Sequence, residues 1–406
     1  MRPSVVITGI GLITPLGSGR ETVWRRLLAG ASGIADVTAF DTAAYPVHRG
    51  GEVKDFDPAP YFERLAPASV GRASQLAVAA ARLAVADAGG VLDELAPERA
   101  GVVMGTTSGE PREIERHNDR LLAGDGAAGD GALASRYPCH VIAGAVAAEL
   151  DLAGPNAMIP AACAAGNYAI GHAVDQLRAG RADVMLAGGA DAFSRITYAG
   201  FARLGAIAPE CCQPFDRDRK GMIPGEGAAV LVLERAARAR ARGARIWAEV
   251  QGYGLSCDAH HMTAAHPRGD GAVRAMRQAL ADAGIEPRAV SYVSAHGTGT
   301  AINDRLETTA LKRVFGPRAR RLPASSIKSM IGHTMGAASA IEAAVCALAI
   351  ADRRVPPTIN FRRPDPDCDL DCVPNEAREL EVAVAMSNAY AFGGYNASVI
   401  FRRSDG

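Results

Sequence analysis

The segment Ala86-Asp87-Ala88-Gly89 recurs as Ala281-Asp282-Ala283-Gly284, and each copy closes an apolar-periodic run, 72–89 in the first case and 272–284 in the second. Apolar residues at helical spacing with a terminal glycine predict two helices, each with Gly as its C-cap. A short apolar strand opening into a Gly/Thr loop follows each run, at 101–108 and at 290–300. Each half then carries a small-residue, almost wholly apolar helix, one starting at Cys163 and one at His333. Helices with so little polar surface belong inside a fold. The stretches 184–188 and 228–233 are apolar without alternation, as expected of strands covered on both faces. The expectation is an α/β protein of two similar halves, 1–250 and 251–406. Extra length in the first half falls at about 110–150, around a flexible Gly-rich stretch at 123–132. Cys163 and His333 would then hold equivalent helix starts, brought by a pseudo-twofold axis to one site.

Cys163 lies in Ile159-Pro160-Ala161-Ala162-Cys163-Ala164-Ala165-Gly166, and the helix that follows it runs to Gly180. A thiol at a helix N-terminus meets free N–H groups and the positive end of the macrodipole, which favour thiolate. The competing reading is an inert buried cysteine, since free Cys is among the most buried residue types. Two polar clusters appear downstream, His296-Gly297-Thr298-Gly299-Thr300 and the stretch from Ser325 through Lys328 to His333. Taken singly, the histidines read equally well as turn or N-cap groups and Lys328 as a surface lysine. A nucleophile followed by two separate histidines and a lysine points to carbonyl chemistry.

The 406 residues carry 44 Lys+Arg against 44 Asp+Glu, a balance that argues against general nucleic-acid or membrane-surface binding. No uninterrupted apolar stretch reaches membrane-spanning length, and the N-terminus reads as a strand without signal-peptide features. The eight cysteines follow no disulfide framework, which fits a reducing cytoplasm. Cys368 and Cys372 have a metal-like spacing but no second ligand pair, so no metal site is expected.

Ordered motifs run almost end to end: 5–17, the Cys163 segment, 187–191, 214–219, Gly225-Glu226-Gly227, 296–300, Asn303-Asp304, Lys328, Gly332-His333, and 388–394. Through them the chain resembles the elongating β-ketoacyl-acyl carrier protein synthases, condensing enzymes of the thiolase fold. The resemblance implies a five-layer αβαβα fold, a dimer, and a Cys163-His296-His333 triad performing decarboxylative Claisen condensation. It also implies acyl groups delivered on the phosphopantetheine of an acyl carrier protein, with no metal or redox cofactor. In these terms Cys163 and Phe392 would supply the N–H groups of an oxyanion hole, with Phe392 the gate. Lys328 would pair with Glu342, and Glu307 and Asp304 would order the loop at His296. Asn388 would join Asn303 and Glu307 around an occasional structural monovalent cation. Thr107, Ser108, Tyr168, Tyr390 and Tyr395 would line the substrate pocket.

Within type II polyketide, polyene or fatty-acid chain elongation, departures from the family pattern point to a specialised polyketide or polyene synthase more than to housekeeping fatty-acid synthesis, acting as a homodimer or beside a chain-length partner. The usual Asn-Ser-Phe-Gly-Phe-Gly-Gly-Thr-Asn loop reads Asn388-Ala-Tyr390-Ala-Phe392-Gly-Gly-Tyr395-Asn396. The segment 63–72 carries less basic charge than carrier docking usually has. Ser108 stands where many relatives have a bulky aliphatic residue. A thiolase would need a second cysteine near residues 392–394, a starter-type enzyme an Asn in place of His333, and a non-catalytic chain-length partner would lack Cys163.

Overall fold

The computed structural model describes residues 2–124 and 131–404, so most of the Gly-rich stretch at 123–132 lies outside the described residues. Ten strands form one path through an eleven-stranded sheet: β1 (Val5–Thr14), β2 (Ala100–Gly105), β3 (Asn156–Ile159), β4 (Val184–Asp191), β5 (Gly227–Arg235), β6 (Ala248–Cys257), β7 (Tyr292–Ser294), β8 (Ala324–Ser325), β9 (Val384–Tyr390) and β10 (Tyr395–Arg402). Their spatial order is β8-β7-β9-β10-β6-β1-β5-β4-β2-β3, so the second five repeat the order of the first five about the β1–β6 junction. Pairing senses repeat too, with β2 parallel to β3 and β4 as β7 is to β8 and β9. The junction itself is antiparallel, Val5 opposite Val250. The 250/251 division therefore falls inside β6.

Six of the helices bear on the layers and the site: α1 (Arg72–Ala88), α2 (Ala165–Arg178), α3 (Arg195–Arg203), α4 (Asp270–Ala283), α5 (Ala301–Phe315) and α6 (Ala338–Asp352). Helices α2 and α6 pack on each other in the middle, α1 covers the first half-sheet, and α4 with α5 covers the second. This is the five-layer thiolase-like architecture with two pseudo-twofold halves. Both repeated helices end as their sequences predict, at Gly89 (φ 51°) and Gly284 (φ 65°). Close packing of strand on helix also repeats. A Cβ on Gly9 or Gly11 of β1 would lie 2.1 or 1.8 Å from a carbonyl oxygen of α1, and one on Gly252 or Gly254 of β6 would lie 2.4 or 2.1 Å from α4 backbone.

Residues 335–352 are apolar and long enough to cross a membrane, yet they are buried inside the fold and form the central layer. The small side chains that keep this segment free of polar surface let α6 approach α2, where a Cβ on Gly166 would lie 2.5 Å from the Ala340 amide nitrogen.

Equivalence of Cys163 and His333 requires correction. A one-turn 3-10 helix precedes each central helix, Ala162–Ala164 before α2 and Met335–Ala337 before α6, and each begins on a non-glycine residue with positive φ, Ala162 at 47° and Met335 at 53°. The counterpart of Cys163 is therefore Gly336. His333 stands outside the turn because its backbone bridges to Pro224 and its N–H donates to the Ile223 carbonyl at 2.6 Å.

Candidate active site

The candidate site is built from segments that leave the C-terminal ends of parallel strands. Residues 106–108 follow β2, Cys163 follows β3, His296 follows β7, Lys328 follows β8 and Phe392 follows β9. Ligands in α/β sheets gather at such carboxyl ends. The turn Ala162–Ala164 touches the turn Met335–Ala337, both strands of the β9–β10 hairpin, and the turn Phe392–Gly394. Left-handed φ at Ala162 and Met335 is conformational strain of the kind that collects at functional sites.

Burial decides the state of the thiol. Cys163 is pushed up to about 12, chiefly by desolvation, while the Lys328 charge pulls the other way. The resting group is a thiol, contrary to the thiolate expected from its helix start, because the alanines packed around it remove water. Its alkylation rate by iodoacetamide should rise about tenfold per pH unit through pH ~9. A plateau near neutral pH, read by peptide mass, would mean that the dipole has won.

His296, His333, Lys328 and Glu342 are all buried. The two imidazole rings meet edge to face at 5.4 Å, and His296 meets the Tyr390 ring at 5.8 Å. Desolvation first, and the Lys328 charge second, hold both histidines well below the usual range, so both are neutral. Each Nδ1 is an acceptor: that of His296 faces Lys328 Nζ at 3.4 Å, and that of His333 takes the Met335 N–H at 3.1 Å. Lysine has only donors to give, so both Nε2 atoms carry the proton. Lys328 Nζ also forms a short ion pair with Glu342 Oε1. Glu342 is pushed up to about 7 by burial against that pull, and its second oxygen is buried without a hydrogen-bond partner.

Glu307 accepts the His296 and Gly297 N–H groups, both at 2.8 Å, which fixes the turn that bears His296. Asp304 accepts from the Gly299 N–H and the Asn303 side-chain amide of the same region and from the Phe215 N–H of a distant segment, tying the two together. Asn388 accepts from the Ser398 hydroxyl and turns its amide nitrogen to the Met276 sulfur. These bonds engage the Glu307, Asn303 and Asn388 groups with separate partners, and no cluster of His, Cys, Asp or Glu suited to a metal occurs among the described residues.

The residues expected to line a pocket separate into two groups. Ser108 and Thr107 donate backbone N–H to Asp191, and the Ser108 hydroxyl lies 3.4 Å from that of Thr197. Tyr168 and Tyr395 instead meet edge to face at 6.2 Å, with the Tyr168 hydroxyl on the Ser256 carbonyl. Thr197 therefore stands beside Ser108. The Tyr390 hydroxyl is buried without a hydrogen-bond partner. Phe392 is half-exposed and packs on Phe201 at 5.8 Å.

Sequence reading assigned no role to Asp191. Its buried carboxylate accepts from the Thr106 hydroxyl and the N–H groups of Thr107, Ser108 and Gly336, joining the loop after β2 to the turn before α6. Burial raises it to about 6. The signal was a lone acid ending an otherwise apolar strand.

Models of the β-ketoacyl synthase N-terminal and C-terminal domains match residues 2–239 and 247–362. The chain belongs to the β-ketoacyl synthase family. It is 41% identical over 406 residues, 98% of both chains, to a 3-oxoacyl-[acyl-carrier-protein] synthase 2 of Synechocystis. Among solved structures, the ishigamide ketosynthase/chain length factor superposes with a TM-score of 0.96 at 46% identity over all of both chains. The AntDE:AntF structure, a type II polyketide acyl-carrier protein complexed with its ketosynthase, does so with 0.91 at 32% over all of both chains. The chain is a ketosynthase, an acyltransferase by class, of the kind found in fatty-acid and type II polyketide systems.

Proposed function

We propose that Cys163 carries the growing acyl chain and that His296 and His333 stabilise the enolate of an incoming malonyl thioester on an acyl carrier protein. The carrying observation is the pair of neutral, buried imidazoles with both Nε2–H groups free to donate. In the first step Cys163 Sγ attacks the acyl thioester carbonyl; the C–S bond to the pantetheine arm breaks and the thiol proton ends on the departing sulfur. In the second, the malonyl thioester loses CO2. The resulting carbanion forms the new C–C bond at the acyl carbonyl, and the expelled Cys163 thiolate takes a proton from solvent. Backbone N–H groups of Cys163 and Phe392 would hold the oxyanion. Lys328 fixes the His296 tautomer, and Glu307 and Asp304 hold its loop. Intact mass after incubation with acyl-loaded carrier proteins should show one acyl adduct, lost in Cys163→Ala.

The division at 250/251 then separates a nucleophile-bearing half from a donor-bearing half. The 46% identity to the ishigamide ketosynthase/chain length factor favours a specialised pathway and a heterodimer with a chain-length partner over a housekeeping homodimer; the scattered cysteines support a cytoplasmic location. Native mass of the chain alone, and with a co-expressed partner, separates these assemblies.

Ser108 sets acyl length in this reading. Serine leaves volume that an aliphatic residue would fill, reduced by the neighbouring Thr197 hydroxyl. Each buried CH2 contributes about 0.8 kcal/mol, so longer donors gain until the space is full. Ser108→Ile should lower kcat/KM for long donors selectively; an unchanged length profile rules the assignment out.

A further inference from the structure

On the function proposed above, each charge of the reaction meets a donor except the malonyl carboxylate, the group that leaves as CO2. The two imidazole Nε2–H groups serve the thioester oxygen, and the Cys163 and Phe392 N–H groups serve the acyl oxyanion. Lys328, the buried cation of the site, is committed to Glu342 and to His296 Nδ1. An anion that enters so dry a site without a donor is costly to bind.

One donor beside the histidines is unused. Tyr390 ends β9 and is 8% exposed, and its hydroxyl is buried with no hydrogen-bond partner. Along this strand Ala389 packs on Ala164 of the nucleophile turn, whereas the body of Tyr390 packs with Val293, Met386 and Ile400 of the outer core. Its ring still reaches the site, meeting the His296 ring at 5.8 Å and 71°. Among the described residues only His333 and Tyr390 set a ring against His296. The other unpartnered groups nearby do not share that contact: Thr107 lies on the loop tied to Asp191, and Thr334 turns its methyl toward Gly225. Burial first, and the Glu307 charge second, hold Tyr390 well above the usual tyrosine range, so the phenol keeps its proton and can only lend it. Glu307 does not accept it; the oxygens of that acid take the His296 and Gly297 N–H groups. The usual family loop has Phe at this place, so the departure amounts to a single oxygen that packing does not require. A buried donor without a partner is unfavourable, which points to a partner that arrives with substrate.

We propose that the Tyr390 hydroxyl donates to the carboxylate of the incoming malonyl thioester and so selects a carboxylated extender. The proposal rests on the ketosynthase reading for the identity of that anion. A single neutral donor holds the carboxylate without the ion pair that would stabilise it against leaving. When the C–C bond breaks, its electron pair passes into the enolate that the imidazoles face, CO2 departs, and the hydroxyl retains its proton. Tyr390 thus serves binding, and the chemical step stays with His296 and His333.

The test uses Tyr390→Phe and two non-reacting pantetheine amides, one malonyl and one acetyl, which differ only in the carboxylate. The variant should bind the malonyl amide about tenfold or more weakly than wild type, the effect of losing one hydrogen bond to a charged group, and the acetyl amide equally well. Its KM for malonyl thioester should rise by a similar factor, with kcat for CO2 release held within about twofold. Its thermal midpoint should not fall, because the oxygen removed has no partner in the resting protein. Unchanged affinity for the malonyl amide overturns the proposal and makes Tyr390 a packing residue. Equal weakening of both amides, or a fall in kcat at constant KM, overturns it as well, since Tyr390 would then act through the His296 ring. CO2 release by the wild type tests the ketosynthase reading separately: its absence removes that reading, while the preference for the malonyl amide is still read from binding alone.

Discussion

Loss of either imidazole should lower CO2 release from a malonyl thioester by about 10²–10³, the usual cost of one preorganised donor at a developing oxyanion. His296→Ala and His333→Ala should both still accept an acyl group on Cys163, because neither ring bonds to the thiol in the resting arrangement described above. Cys163→Ala should behave in the reverse way, releasing CO2 but forming no condensation product. The measurement is labelled CO2 from carboxyl-labelled malonyl donor, read beside intact mass of the acyl-enzyme. Wild-type CO2 release by both histidine variants would remove the enolate assignment. The two variants need not be equal. His333 keeps its tautomer through a backbone N–H, while His296 depends on the Lys328 side chain.

That dependence sets up the second large effect. Lys328→Met should destabilise the protein by about 3–5 kcal/mol, because it leaves Glu342 buried without its cation. It should also lower condensation by roughly 10², as His296 Nδ1 loses its donor. Glu342 is already pushed up to about 7, and a buried carboxyl with raised pKa contributes stability below its unfolded value that is lost as pH rises through the folded one. The denaturation midpoint of Lys328→Met should therefore fall between about pH 5 and about pH 8, as the neutral acid is forced to ionise. Lys328→Met/Glu342→Leu should recover most of the stability and none of the activity. Recovery of both would make the pair structural only.

Much of the architecture was legible because its repeat is written in local signals. Gly89 and Gly284 end helices for the same backbone reason, and the glycines of β1 and β6 admit α1 and α4 equally closely. The candidate site was legible as residue types, less so as states. Helix-start logic suggested a thiolate at Cys163, and the surrounding Ala161, Ala162, Ala164 and Ala165 already signalled a dry pocket in which desolvation prevails. His333 was misplaced at a helix start because its apolar successor looks continuous, whereas long-range bonds to Ile223 and Pro224 hold it outside. Asp191 depends on contacts across more than 80 residues of sequence, which periodicity does not carry.

The turn before α6 copies the backbone of the turn that bears the nucleophile, yet no thiol fits there. A Cβ at Gly336 would lie 2.6 Å from Thr106 and Thr107 backbone and 2.7 Å from Asp191. Duplication of an ancestral half would give two candidate acyl-bearing positions; closure of the loop after β2 against this glycine makes one of them sterically barren. On the function proposed above, that asymmetry leaves one acyl-bearing position at the paired turns, and the vacated twin serves as scaffold for its helpers.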